Sequence, residues 1–378
     1  MSLEAVEEYP RVSDAELARR LQAVRGLMAE VGATALVCYG ADRSGSAIEW
    51  LSEWPVTREA ALVLGGEDDE TLLFVQHANH VPNAVRRARA VRVAWGGPST
   101  GETVLAEVAR RPGARVATIG SLPGALAAAL GASVPLDRAY RALRLRKSGE
   151  EIAQLRRGAE LTDLAVRRLV ADARVDMTEI ECIALLEEAY LPLGGTNWIH
   201  YLCSTPMAAP ERAVPAQFPS FRRLLAGDAV VCEVSASYFG SPGQLLRTFS
   251  VAADPTPAYR RLHDVADEAF AALAAVARPG ATVGDLRRAA AGITAAGCET
   301  IDELVHGFGG GYLPPIIPGG GRPGGTPDDF VLEENMAIVI QPNPVRDGAG
   351  VQTGELGVVT ASGWQSLHDF PPGMGRIA

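Results

Sequence analysis

Residues 227–249 read GDAVVCEVSASYFGSPGQLLRTF, and the fold of the chain is decided in this stretch. It contains two β-rich apolar runs, 229–237 and 245–252, the second ending just beyond the quoted segment. A third strand-like run, 197–204, precedes them. After them, Thr256-Pro257 supplies a helix cap and a proline at the first helical position, for a helix expected to end at Pro279-Gly280. Thr282-x-x-Asp285 begins one more helix. A Gly- and Pro-rich loop over 307–327 then leads to a strand, MAIVIQPNPV, and a hairpin-like GVQTGELGVVTASG.

Upstream lies RLRKSGEEIAQLRRGAELTDLAVRRLV. Ser148 and Glu151 form a capping box, and Ile152, Leu155, Ala159, Thr162, Val166 and Leu169 follow along one helical face. A long helix therefore opens a second domain, residues 146–378, and Thr178-x-x-Glu181 starts its next helix. The grouping of strands and helices makes this domain α+β. Residues 1–145 read differently. Ser13-x-x-Glu16 caps a helix carrying Leu17, Leu21, Val24, Met28 and Val31. TALVCYG (34–40), REAALVLGG (58–66) and ETLLFVQ (70–76) are short strands, and helix and strand alternate as far as ARVATIG. This is a small α/β domain with a mixed or parallel sheet.

Bulk composition narrows the function. A chain of 378 residues, 47% hydrophobic, has room for two cores. A net charge of -10 repels phosphate backbones and argues against nucleic acid as a partner. The five cysteines are scattered, with no CxxC spacing, so neither a disulfide framework nor a thiolate zinc site is indicated. The opening MSLEAVEEYPRVSDAELARR lacks a basic region followed by an apolar run, and no apolar stretch approaches the about 20 residues a bilayer requires. A cytoplasmic protein without membrane contact is the expectation.

The segment 227–249 resembles the strand pair of the creatinase/prolidase family, whose metallopeptidases read roughly GD-x-V-x-x-D-x-G and then GY-x-x-D-x-x-RT-F. Gly227-Asp228, Gly240 and Arg247-Thr248-Phe249 match. The two chemistry positions, eleven apart, hold Glu233 and Gln244 where the peptidases have aspartates. Val305-His306-Gly307-Phe308-Gly309 looks like the family's HGIG segment and keeps its metal-binding histidine as His306. Ala337–Pro342 looks like the strand ending in glutamate-proline, with Gln341 in place of the glutamate. In Gly350–Glu355 the last metal glutamate falls on Gly354, beside Glu355. AIEWLSEWP with TREAALVL, and RLRKSGEEIAQLRRGAE, resemble the family's N-terminal domain and interdomain signature. The resemblance covers nearly the whole chain and implies an N-terminal domain of creatinase/prolidase type followed by a pita-bread catalytic domain.

The departures from the family pattern bear on the chemistry. Two divalent ions bring about four positive charges, which the family's four carboxylates offset. Here one carboxylate, Glu233, two neutral amides and a glycine stand at those positions, so no metal pair and no cofactor are expected. Creatinase and the ectoine-hydrolase type resemble the peptidases and work without metal, and that precedent sets the expected activity: metal-independent hydrolysis of an amide or amidine C–N bond in a small, polar, carboxylate-bearing molecule. A lyase, isomerase or decarboxylase on the same pocket, a non-catalytic binding protein and, last, a metal-dependent aminopeptidase are the alternatives.

His306 is the expected proton carrier, or else simply hydrogen-bonds the glycine-rich loop. Glu233 assists it, anchors a cationic group or pairs with Arg247. Gln244 and Gln341 supply amide donors and acceptors to the substrate. Around them, Arg58, Gln217, Tyr312, Glu355, His200 and Arg247 are candidate substrate contacts. Gln217 is the nearest equivalent of the histidine creatinase carries before the GD turn. Arg58 lies where creatinase has a carboxylate-binding arginine that reaches the partner subunit, which implies a homodimer with the N-terminal domain near the partner's pocket. His77 and His80 are expected on a surface helix, and Cys203 and Cys232 in packing roles.

Overall fold

The computed structural model describes residues 9–66, 69–111 and 113–378. The first eight residues of the polar opening lie outside the described residues. Two compact units are present, Met1–Arg144 and Leu145–Ala378.

The first unit runs α1 (Asp14–Glu30), β1 (Ala35–Gly40), α2 (Ser46–Ser52), β2 (Ala60–Leu64), β3 (Leu72–Val75), α3 (Val81–Arg87), β4 (Arg92–Trp95), α4 (Thr100–Ala109), β5 (Val116–Ile119), α5 (Gly124–Leu130), β6 (Val134–Pro135) and α6 (Asp137–Leu143). Its six strands are ordered β4-β3-β2-β1-β5-β6. Strands β1, β2 and β3 pair antiparallel and the outer strands parallel, so the sheet is mixed. Alternate side chains feed two cores. Leu36, Cys38, Leu62, Leu64, Leu73 and Val75 pack on one face, and Val37, Tyr39, Ala61, Val63, Leu72 and Phe74 on the other. Burial on both faces explains why these strands read as continuous apolar runs.

The second unit begins α7 (Gly149–Asp172), α8 (Glu179–Tyr190), β7 (Gly195–Pro206), β8 (Asp228–Tyr238), β9 (Ser241–Pro242) and β10 (Leu245–Val251). It continues α9 (Pro257–Val276), α10 (Val283–Ala289), α11 (Ala291–Ala295), β11 (Glu299–Thr300), β12 (Glu303–Gly307), β13 (Leu313–Pro318) and β14 (Ala337–Ile340). It ends β15 (Pro344–Arg346), β16 (Ala349–Gly350), β17 (Gly354–Thr360), β18 (Gly363–Ser366) and β19 (Gly375–Ile377). The main sheet is ordered β13-β12-β14-β17-β10-β8-β7. Helices α7 and α8 pack Leu161, Leu169, Leu186 and Tyr190 with Cys232, Val234, Leu245 and Phe249. Helices α9 and α10 pack Tyr259, Leu273 and Leu286 with Val305, Ile338 and Ile340. This is the expected α+β arrangement.

Ser148, Thr178 and Thr282 each complete a reciprocal capping box, with Glu151, Glu181 and Asp285. Helix α9 ends at Val276, short of the Pro279-Gly280 stop. The stretch 350–363 is not one hairpin: residues 349–350 pair with β15, and the hairpin is formed by β17 and β18. Between them, Gln352 N donates to Thr248 Oγ1 and Thr353 N to Asn343 Oδ1, so side chains take the backbone donors that a ladder would use.

Helix α7 sits directly on the β8–β10 connection. A Cβ at Gly158 would lie 2.3 Å from Ser241 O, and one at Gly243 would lie 2.5 Å from Ala159 Cα. Only glycine permits this approach, which fixes the chain immediately before Gln244. Among the described residues, no helix is long and apolar enough to cross a membrane.

Candidate active site

Strand register assembles the polar residues. Glu233 on β8 lies opposite Leu246 on β10, and Leu246 opposite Gly354 on β17. His306 on β12 lies opposite Val339 on β14, and Val339 opposite Leu356 on β17. Side chains alternate along strands, so Gln244, Gln341, Glu233 and His306 share a face through their two-residue offsets from these partners. Gln244 O accepts from Leu356 N at 2.9 Å, and Gln341 N donates to Leu304 O at 2.9 Å. Both glutamines are thus held by backbone beyond the ends of their strands.

The side chains form a hydrogen-bonded string. Gln244 Nε2 donates to Glu233 Oε1 at 2.8 Å and to Gln341 Oε1 at 3.2 Å. Gln341 in turn acts on the imidazole of His306, favouring its protonated form. His306 is 1% exposed, with Nδ1 3.2 Å from Gly307 O. The Tyr312 ring stacks on it at 4.2 Å between centroids and 24° between planes, and Phe308 meets it edge-on at 5.7 Å. Tyr312 is half-exposed, and its hydroxyl donates to Glu303 Oε2 at 2.9 Å.

Burial pushes the Glu233 carboxyl up to about 8, and the negative charges of Asp302 and Glu303 push the same way. Burial lowers His306 to about 4, against the opposing effects of Gly307 O, Glu303 and Gln341. Burial raises Asp302 to about 6, assisted by its neighbour Glu303, while Asn343 Nδ2, 3.2 Å from Asp302 Oδ2, opposes the rise. Glu303 is held below its ordinary value: burial alone would raise it, but the donors led by the Tyr312 hydroxyl outweigh that.

Sequence reasoning did not single out Asp302, Glu303 or Asn343. The signal was local: two carboxylates three and four residues before His306, and an asparagine two residues after Gln341.

Other candidate contacts lie elsewhere. Arg247 is buried, donating to Glu355 Oε2 at 2.5 Å and to the carbonyls of Leu246 and Gly354 at 2.9 and 3.0 Å. Glu233 is therefore not its partner, and Arg247 and Glu355 are engaged in bracing β10 against β17. His200 lies opposite Val234, one residue off the Glu233 row, with its Nε2 2.7 Å from Tyr190 Oη. Gln217 is exposed in the connection between β7 and β8. Arg58, in the first unit, is exposed 3.4 Å from Asp42. His77 precedes a single 3₁₀ turn, Ala78–His80, where a surface helix was expected. Cys203 and Cys232 are buried, and burial pushes their thiols up to about 11 and about 12, as packing residues.

The residues at the family's metal-ligand positions do not fit a pair of divalent ions. The NH2 group of Gln244 points at the oxygens of Glu233 and Gln341 that a cation would need. At Gly354 a Cβ would lie 2.6 Å from Ile340 O and 2.8 Å from Gln341 Cα, so no side chain is available there. Among the described residues, no group of three or more His, Cys, Asp or Glu is placed to share an ion.

A profile of metallopeptidase family M24 matches residues 153–361, more than half of the chain. The chain belongs to metallopeptidase family M24. It is a family of hydrolases, and the second unit carries its pita-bread domain. The chain is 28% identical over 229 residues to an Xaa-Pro dipeptidase of Lactobacillus delbrueckii subsp. lactis, covering 59% of this chain and 60% of the relative. It is 26% identical over 240 residues to an Xaa-Pro dipeptidase of Pyrococcus furiosus, covering 61% and 65%. These matches span about three fifths of the relatives' length. Among solved structures, a prolidase from Pyrococcus horikoshii OT3 superposes with a TM-score of 0.79 at 20% identity, covering 94% of this chain and 99% of that one. An Xaa-Pro dipeptidase from Bacillus anthracis gives 0.79 at 19%, covering 96% and 100%. At these identities the structural likeness shows the fold.

These relatives correct the functional expectation. They are named for Xaa-Pro peptides, which overturns the reading as a metal-independent hydrolase of small non-peptide C–N bonds, and nothing in them supports a creatinase-like or ectoine-hydrolase-like branch.

Proposed function

We propose that the chain hydrolyses the peptide bond of short peptides, Xaa-Pro dipeptides first among them, at the string Glu233–Gln244–Gln341–His306. The observation that carries this reading is the gathering of these four polar side chains on one face of the sheet in a family whose curated relatives include Xaa-Pro dipeptidases. Both hydrogens of the Gln244 amide are used within the string, which leaves the NH2 group of Gln341 to meet the peptide carbonyl. Gln244 fixes the Glu233 carboxyl by one oxygen and leaves the other for water or substrate. The donors at the family's ligand positions do not fit a metal pair. A homodimer in which Arg58 of one copy contacts the carboxylate of a peptide bound by the other belongs to the same proposal.

The test is release of free proline from Ala-Pro and Gly-Pro by the purified full chain, with and without added Mn, Co or Zn, with oxygen-18 water and mass spectrometry of the products. Label in the new carboxylate is the expected result. Failure on every short peptide under every metal condition overturns the reading.

A further inference from the structure

Beyond the fixed string, Tyr312 lies between the stacked face of His306 and solvent. His306 is 1% exposed, yet the ring stacked on it, Tyr312, is 47% exposed, so on that face Tyr312 separates the imidazole from water. Tyr312 is held there by this stack and by one hydrogen bond from its hydroxyl to Glu303. Immediately before it lie Gly309, Gly310 and Gly311, with φ of 88°, 88° and 113°, backbone that residues with a Cβ rarely adopt. Gly309 is packed: a Cβ there would lie 2.9 Å from Lys147 Cε and 3.2 Å from Leu155. Around Gly311 a Cβ would meet nothing within 4 Å. After Tyr312 the chain is fixed again, with Leu313 paired to Gly307. Packing holds Gly309, whereas Gly311 and the exposed Tyr312 side chain have open space around them.

We propose that Tyr312 is the lid of the site: its ring closes over His306, and it swings out on Gly311 to admit substrate. A ligand reaches the imidazole only after the stack has opened, and opening also removes the hydroxyl donor from Glu303. Tyr312 is thus a positioning residue that acts through access to His306. The substrate named for this lid rests on the peptide-hydrolase reading, whereas the lid itself does not.

The experiment measures the reactivity of each histidine toward diethyl pyrocarbonate in the intact chain at pH 7, by peptide mass mapping. His77, which is exposed, serves as the fast standard, and His200 and His368, which are buried, report loss of fold. In the unaltered protein His306 is expected to react at least about tenfold more slowly than His77. Tyr312→Ala should bring His306 to within about threefold of His77 while His200 and His368 stay slow. Tyr312→Phe, which keeps the stack and loses the bond to Glu303, should give an intermediate rate, and it supplies the comparison if the alanine variant unfolds. Rapid labelling of His306 in the unaltered protein, or a His306 rate unmoved by both variants with the fold intact, overturns the lid. These rates require no turnover, so failure of the dipeptide assay leaves them unaffected.

Discussion

At the residue scale, the string gives each polar group a distinct consequence. Gln341 is the member with an amide donor left over, so Gln341→Leu should lower kcat/KM for the peptide substrate by about a hundredfold, the loss typical of one preorganised donor to a reacting carbonyl. Steady-state kinetics checks this, and an unchanged rate removes Gln341 from carbonyl binding. A second residue-scale effect concerns stability. Burial by itself would raise the Glu16 carboxyl, but hydrogen bonds from Arg19 and Arg20, at 2.8 and 2.7 Å, outweigh burial and hold it from 4.5 down to about 2. A depressed carboxylate stabilises the folded state above its unfolded value, and that stability is lost as pH falls from 4.5 toward about 2. Thermal melts across this window should fall more steeply for the unaltered chain than for Glu16→Gln. Parallel slopes would show that Glu16 is not a source of the acid sensitivity. The sequence singled out Glu233, Gln244, His306 and Gln341, because each stands at a motif position that can be read locally. It did not show that Arg247 would choose Glu355, since two strands must lie side by side before that choice exists.

At the element scale, the seat of α7 on the β8–β10 connection positions Gln244. Gly158→Ala forces a methyl to within 2.3 Å of Ser241 O, so helix or turn must shift. The cost expected for such overpacking is about 1–3 kcal/mol. A drop of roughly 2–4 °C in melting temperature per kcal/mol should accompany it. An unchanged melt would mean that the helix relaxes without strain. The capping boxes at Ser148, Thr178 and Thr282 were legible because a cap is a contact between residues three apart. The break in the 350–363 stretch was not, because Thr248 and Asn343, which take its backbone donors, come from other strands.

At the scale of the whole molecule, the described residues give each unit its own buried clusters, two in the first and three in the second. Residues 145–378 expressed alone should therefore fold cooperatively, with a sigmoidal denaturant transition followed by circular dichroism. A featureless melt would show that its core depends on the first unit. By itself, the sequence determined the family and the α+β class and nominated four candidate site residues, because motif spacing, caps and apolar runs are properties of short stretches of chain. The tertiary structure alone decided that the two glutamines bond each other where the family's ligand positions lie, that the charges of Asp302 and Glu303 act on Glu233, and that Tyr312 stacks on His306. The first two depend on strands remote in sequence, set by sheet register and by the glycines that let a helix and a turn approach; the third depends on the β12–β13 turn that folds Tyr312 back over a residue six places earlier.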